Sequence, residues 1–427
     1  MQNSYCKLSI AYFLFLIGIL LLVGYTPTND GDGYIEYAIL SINDHQPYPS
    51  ISTIIGKPFI WNIGQINLIA LSLWLFKRIY PLLVLMCALK ALTAYIIARL
   101  TEFIFNHNTG ILAILLYIIY PNNWGQSTTL LSEIPSVSLA LTALYLMLKY
   151  NNVKIWIVAG LLFAIANWIR PISLIYIGSA LFFCLLYQRE NIIKRYTTII
   201  AAYACITIFL GLSCWHRTGY FVTQPTTVWF NFAATTYEKS TKVVYTDDFY
   251  PKGTARYIEG REHLTAFQCA DIWKKRSLKW LVNHKTEYIK KIPGRLFWMY
   301  YEDNDNLPAF LKDKSKAENN YVTLPIRYLL HDISSLSGIQ WFLLLNQIVY
   351  MAILILAIIS SYTLILRKQY RKAFLPLFII IAGSLCLVLI SHGETRFKSP
   401  FMPFIFMVAA AFLSSKENSD KLSTPQP

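Results

Sequence analysis

Between residues 8 and 414 the chain repeatedly turns apolar for long enough to approach or exceed the ~20 residues that an α-helix needs to cross a bilayer. These runs lie near 8–25, 79–98, 110–121, 133–149, 154–169, 171–187, 196–214, 339–366, 373–391 and 399–414. No other feature constrains the fold as strongly. Backbone inside lipid must satisfy its own hydrogen bonds, so about ten such runs imply an all-α polytopic membrane protein. Composition agrees: of 427 residues, 55% are hydrophobic and only 14% charged. The first run has little basic flank and no small-residue cleavage site at Val23–Pro27, so it reads as an uncleaved anchor.

One further apolar run, 59–76, could be a span or a helix lying at the interface. The positive-inside rule chooses between the two. If 59–76 does not cross, the short connections and the tail on one side collect Arg99, Lys149, Lys154, Arg189, Lys194, Arg195, Arg367, Lys368, Arg371, Lys372, Lys416 and Lys421. That side is then cytoplasmic, and 59–76 is interfacial or re-entrant. The exterior receives 26–78, the short segment PNNWGQSTTLLSE, the long loop 215–338 and HGETRFKSP. Within the long loop, 265–300 has helical spacing, with Ala270, Trp273, Trp280, Leu281 and Tyr288 near one face and lysines beside them. An amphipathic helix resting on lipid accounts for this, as does a surface that helps hold a phosphorylated lipid.

The seven cysteines show no pairing framework and no C-x-x-C, which argues against a disulfide scaffold or a thiolate metal site. The net charge of +15 in so apolar a chain points to anionic lipid head groups or phosphates, not nucleic acid. Walker A, G-x-G-x-x-G, H-E-x-x-H and G-x-S-x-G motifs are all missing.

Ionisable groups at span edges are costly and call for a partner or a role. Asp30 and Asp32 follow the first span; Glu133 opens the fourth; Arg170 separates the fifth and sixth; Glu394, Arg396 and Lys398 precede the last. Lys57 joins them on the exterior face, whereas Lys90 lies deep in a span, where snorkelling or an internal carboxylate would serve it. Each has a bland reading alone: Asp-Gly-Asp-Gly as a turn, Glu133 at a helix start before Pro135, Arg170-Pro171 as a hairpin, Glu394 and Arg396 as a local pair. Jointly, acids and bases from four connections on one face suit a phosphorylated lipid, with Arg and Lys holding phosphate and a carboxylate as general base. Asp30-Gly-Asp32 can also bind a divalent metal ion through hard oxygen ligands, although two nearby aspartates often occur by chance.

In order along the chain, the landmarks are Asp30 with Tyr34 and Ala38, Lys57-Pro58, Glu133, Arg170-Pro171, a W-L-x-x-H…R pattern (Trp280, Leu281, His284, Arg295), and Glu394-x-Arg396-Phe397 before Pro400. Over about 8–414 this resembles the C-type (GT-C) membrane glycosyltransferases that use polyprenyl-phosphate sugars, above all bacterial relatives of the protein mannosyltransferases and the lipid A aminoarabinose transferase. The chain departs from them in placing Gly31 between its two acids, and in Phe397 where Tyr is common.

The resemblance implies an N-terminal transmembrane module (1–214) with a catalytic first loop (26–78), a long extracytoplasmic loop (215–338), C-terminal helices (339–415) and a cytoplasmic tail (416–427), polar and disordered in composition. It implies an inverting transferase in the bacterial inner membrane, acting on the periplasmic or extracellular face. The donor is an undecaprenyl-type phosphate sugar and the acceptor a lipid-linked glycan, envelope glycolipid or protein. Asp30, Asp32 and Glu133 are its catalytic acids; Lys57, Arg170 and Arg396 hold the donor phosphate; Tyr34, Glu394 and His284 support them. The residues also admit a lipid-glycan transporter or flippase, and a glycan polymerase or ligase using pyrophosphate-linked donors. Against transport, the charges gather at one face and only Lys90 stands at mid-depth.

Overall fold

The computed structural model describes residues 2–236, 256–310, 338–366 and 370–422, and among these it contains sixteen α-helices and one isolated β-bridge. In order they are α1 (Gln2–Val23), α2 (Asn29–Asn43), α3 (Ile63–Phe76), α4 (Tyr80–Ile104), α5 (His107–Ile119), α6 (Pro121–Gln126), α7 (Glu133–Lys149) and α8 (Val153–Ile169). Then follow α9 (Ser173–Tyr187), α10 (Ile192–Thr218), α11 (Thr227–Thr235), α12 (Ala266–Asn283), α13 (Lys285–Tyr301), α14 (Gly338–Leu366), α15 (Tyr370–Ile390) and α16 (Met402–Leu422).

Each of the ten expected runs coincides with one helix. Five stretches are long and apolar enough to cross a membrane: Ser4–Val23, Tyr80–Ile104, Ile192–Thr218, Gly338–Leu366 and Ala373–Ile390. Their outer faces carry large apolar side chains open to the surroundings, such as Leu22 at 85%, Phe209 at 67% and Ile358 at 60% exposure. A belt of that kind belongs against lipid. The other helices are shorter: α5, α7, α8 and α9 have 13, 17, 17 and 15 residues. At 1.5 Å per residue they reach roughly 20–25 Å, less than the ~30 Å hydrocarbon core. The last helix continues to Leu422, so the tail expected to be disordered begins as helix, and 423–427 lie outside the described residues.

Helix α8 packs between α7 and α10, α4 touches α1, α5 and α7, and α16 lies against α5 and α14. Lys90 of α4 is buried in this bundle. Its ammonium donates to Asn123 Oδ1 and Gln126 Oε1, each at 2.7 Å, over the Tyr117 ring. Its partners are amide oxygens of α6, where snorkelling or a carboxylate was expected. Helix α6 is pinned on its other side too. Asn122 donates its backbone N–H to Asn346 of α14 (3.1 Å) and accepts from the backbone of Asn306 (2.9 Å). Gly125 permits this approach, because a Cβ there would sit 2.0 Å from the Asn306 carbonyl oxygen.

A second, smaller core joins the first loop to the long loop. Ile55 and Thr265 form an antiparallel bridge, flanked by Gly56 N–H to Leu264 O at 2.9 Å and Ala266 N–H to Ile54 O at 2.8 Å. Phe59, Phe230 and Trp273 pack in sequence, the first pair tilted and the second edge-to-face, with ring centroids 5.0 and 5.2 Å apart. The apolar face of 265–300 is therefore covered partly by protein, where a helix resting on lipid was one expectation: Ala270 and Trp273 are buried. The stretch also breaks at His284 into α12 and α13.

Two glycines separate a tight contact from an open one. Gly125→Ala should cost about 2 kcal/mol or more through overpacking against backbone. Gly178→Ala in α9, where nothing lies within 4 Å, should be neutral or gain up to about 1 kcal/mol from helix propensity. Unfolding midpoints in detergent check both; equal midpoints would contradict the close approach of α6.

Candidate active site

Thr28 caps α2: its backbone is extended and its Oγ1 accepts the Gly31 N–H at 3.0 Å. Asp30-Gly-Asp-Gly is thus the first turn of a helix, not a turn in a loop, and both acids sit where the helix dipole favours them. Gly31 serves close packing, since a Cβ would lie 2.6 Å from Thr28 Oγ1. Residues two apart on a helix point to different sides. Asp32 accepts from the Tyr25 hydroxyl at 2.8 Å, while Asp30 Oδ2 accepts from Arg396 Nη1 at 2.6 Å. Asp30 and Asp32 therefore do not fit a shared metal ion. Among the described residues no three His, Cys, Asp or Glu side chains gather in a metal-holding group.

Arg396 belongs to a 3-10 turn, Thr395–Lys398, that follows α15. Side chains of this turn reach different parts of the fold. Arg396 Nε pairs with Glu394 at 2.7 Å, and Glu394 also meets His392 Nε2 at 3.1 Å. Burial works against the ionised form of Glu394, but Arg396 above all, with His392 and Arg170 behind it, holds the carboxyl down at about 2. Thr395 donates to Asp305 Oδ1 at 2.5 Å. Lys398, wholly buried, pairs with Asp303 at 3.0 Å and donates to the carbonyls of Glu302 (2.5 Å) and Thr395 (2.9 Å). The Tyr120 hydroxyl donates to the other oxygen of Asp303. Burial pushes the Asp305 carboxyl up to about 6; Lys398 opposes this and Asp303 adds to it.

The second half of the site comes from the bundle. Arg170 precedes Pro171, which disfavours helical backbone, and Arg170 is extended (φ −155°, ψ 133°) and ends α8. Its Nη1 lies 2.9 Å from Glu133 Oε1 and donates to Ser132 Oγ at 3.1 Å. Glu133 is 2% exposed, and among the described residues no donor meets its Oε2. Asn62 links Ser132 Oγ (2.8 Å) to the Tyr34 hydroxyl (2.9 Å). The two halves feel one another. Burial pushes the Tyr34 phenol up, and Asp30 and Glu133 both add to that. Arg170 in turn helps hold Glu394 ionised.

Asp30, Tyr34, Glu133, Arg170, Glu394 and Arg396 thus come together from distant parts of the sequence. Lys57 stands to one side, 3.6 Å from Glu36 and over the Tyr37 ring. His284 is exposed, stacks on Trp280 one turn back and takes part in none of these ion pairs. The sequence reading missed Asn62, Ser132, Tyr120, Asp303 and Asp305. Only the acid-rich EDND at 302–305 carried a signal, a local density of carboxylates in an otherwise basic loop.

Residues 66–215, from α3 through most of α10, match the family described as dolichyl-phosphate-mannose-protein mannosyltransferase. That stretch includes Glu133 and Arg170 but neither Asp30 nor Arg396. No curated protein matches the chain. In shape the chain is similar to the apo form of the oligosaccharyltransferase of Archaeoglobus fulgidus. It is equally similar to the archaeal oligosaccharyltransferase AglB from the same organism in complex with an inhibitory peptide and a dolichol-phosphate. In both comparisons the TM-score is 0.50 and the identity 12%, over 99% of this chain and 52% of the other. The chain spans about half the length of those proteins, and the likeness is one of fold.

Removing one partner of a buried ion pair leaves an uncompensated charge. Arg170→Met should therefore cost about 3–5 kcal/mol, and adding Glu133→Gln should recover most of it. A double-mutant cycle on unfolding free energy tests the pair; additive losses would mean that Arg170 and Glu133 are not coupled.

Proposed function

We propose that this chain is a multi-pass membrane glycosyltransferase of the C type, moving a sugar from a polyprenyl-phosphate carrier to an extracytoplasmic hydroxyl acceptor. The observation that carries the reading is the group of ion pairs around Arg396 and Arg170: two guanidiniums among three carboxylates, assembled from four separate connections. The match over 66–215 supports it.

Asp30 accepts the proton of the attacking hydroxyl as the acceptor oxygen bonds to the anomeric carbon. The bond from that carbon to the phosphate oxygen breaks on the opposite face, so the anomeric centre inverts. The electron pair leaves with the polyprenyl phosphate, whose growing charge is held by Arg396 and Arg170, with Lys57 at the rim. Arg396 is engaged by Asp30 and Glu394 before the donor arrives. A donor phosphate that draws Arg396 to itself releases Asp30 toward the acceptor. Glu394, held ionised by its neighbours, keeps the guanidinium aimed. Glu133, buried beside it, orients Arg170. Asp32, bonded to Tyr25, anchors the start of α2 and takes no part in proton transfer. His284 serves the loop fold.

In this reading ten helices cross the bacterial inner membrane, the basic connections face the cytoplasm, and transfer takes place on the periplasmic side. The short α7 and α8 then stop about 5 Å below the outer edge of a ~30 Å core. Glu133 and Arg170 lie at that depth, within reach of a lipid-linked phosphate. The acceptor is a lipid-linked glycan, an envelope glycolipid or a protein.

With purified protein and a panel of polyprenyl-phosphate sugars, Asp30→Asn should lower kcat about 10²–10⁴-fold, the range of a general base. Arg396→Lys, which keeps the charge but loses the fork, should lower kcat and raise the KM for the donor together. Near-wild-type turnover of a folded Asp30→Asn protein would remove Asp30 from the role of base.

A further inference from the structure

A cavity of about 670 Å³ opens at the other end of α2, between α3, the last turns of α10 and the segment after α2. Its walls are apolar: Ile63, Leu68, Leu71, Trp74, Trp168 and Leu210. Leu71 and Trp74 at its edge are 50% and 61% exposed, and on the neighbouring α10 surface Phe209 is 67% exposed. On this side the mouth therefore adjoins the apolar belt, while the exposed His45 and Gln46 form its polar rim.

One strong charge faces this cavity. Arg217, in the last turn of α10, donates Nη1 to Ser213 Oγ at 2.6 Å and Nε to the Pro49 carbonyl at 3.3 Å. Among the described residues no carboxylate lies within 4 Å of Arg217, and no acceptor meets its Nη2. An arginine beside apolar walls with donors to spare lacks a counter-ion. His45 and Gln46, also in the lining, add polar contacts beside it. Asn67, the other amide of the wall, is used up by the Tyr48 backbone and the Ile63 carbonyl.

We infer that this cavity binds one anionic phospholipid of the surrounding bilayer, its phosphate on Arg217 and its acyl chains along α3 and α10. The site is distinct from the proposed transfer centre. Asp30 and Ser41, at the two ends of α2, are separated by eleven residues, or about 16 Å along the helix. A phosphate on Arg217 is thus not the one that Arg396 would hold. A guanidinium fork meets phosphate oxygens in two places at once, and the volume falls within the roughly 300–1,000 Å³ of sites that enclose a small ligand.

The test is native mass spectrometry of the delipidated full chain, titrated with phosphatidylglycerol, phosphatidylethanolamine or polyprenyl phosphate, with thermal unfolding alongside. The wild type should retain one phosphatidylglycerol and be stabilised by it. Arg217→Gln should weaken that retention at least tenfold, and Arg217→Lys should restore part of it. Ala70→Trp, which fills the cavity without touching Arg217, should abolish it. Phosphatidylglycerol retained equally by wild type, Arg217→Gln and Ala70→Trp would overturn the site. Polyprenyl phosphate held through Arg217 in preference to phosphatidylglycerol would overturn the phospholipid as its occupant. Neither readout depends on transferase activity, so the site and the proposed reaction stand or fall separately.

Discussion

One guanidinium connects the two ends of this chain. Arg396 pairs with Asp30, 366 residues away, and with Glu394 beside it. Charges at a membrane edge find little water, so each must find its counter-charge within the protein. That requirement closes this face of the protein. The carboxylate at the start of α2 brings the first loop against the turn before the last helix. The same turn draws in the acidic 302–305 segment through Thr395 and Lys398.

Beneath that turn, polar groups continue into the bundle without a break. Lys398 meets Asp303, Asp303 meets Tyr120, and α6 carries Asn123 and Gln126 down to Lys90. Buried polar networks specify position sharply, because each member left unmatched is costly. The network explains why α5 is only 13 residues long and ends at a short helix inside the protein. The polar segment between α5 and α7 supplies the oxygens that a buried lysine requires.

The charged site was legible in part because charge stands out in so apolar a chain. Asp30, Glu133, Arg170, Glu394 and Arg396 could be placed on one face from topology alone, and the structure brings them together. Their partners could not be assigned, since which acid meets which base depends on helix faces and connection angles. Asp30 and Asp32 looked like a matched pair in the sequence. The cap at Thr28 made their stretch helical, which turned one toward Arg396 and the other toward Tyr25. Asp303 and Asp305 escaped notice because the partners that give them a place, Lys398, Tyr120 and Thr395, lie far away in the sequence.

The sequence by itself determined the apolar helices and the apolar face of α12, because hydrophobicity and period are local properties. Only the tertiary structure decided what covers each apolar face. Lipid tails and a protein core are equally apolar, so Trp273 suits either, and it was the approach of Phe59 and Phe230 that settled the matter. The same holds for charge. The chain supplied the acids and bases, and the fold chose the pairs, because a Coulomb contact depends on separations of a few ångströms that no spacing along the chain encodes.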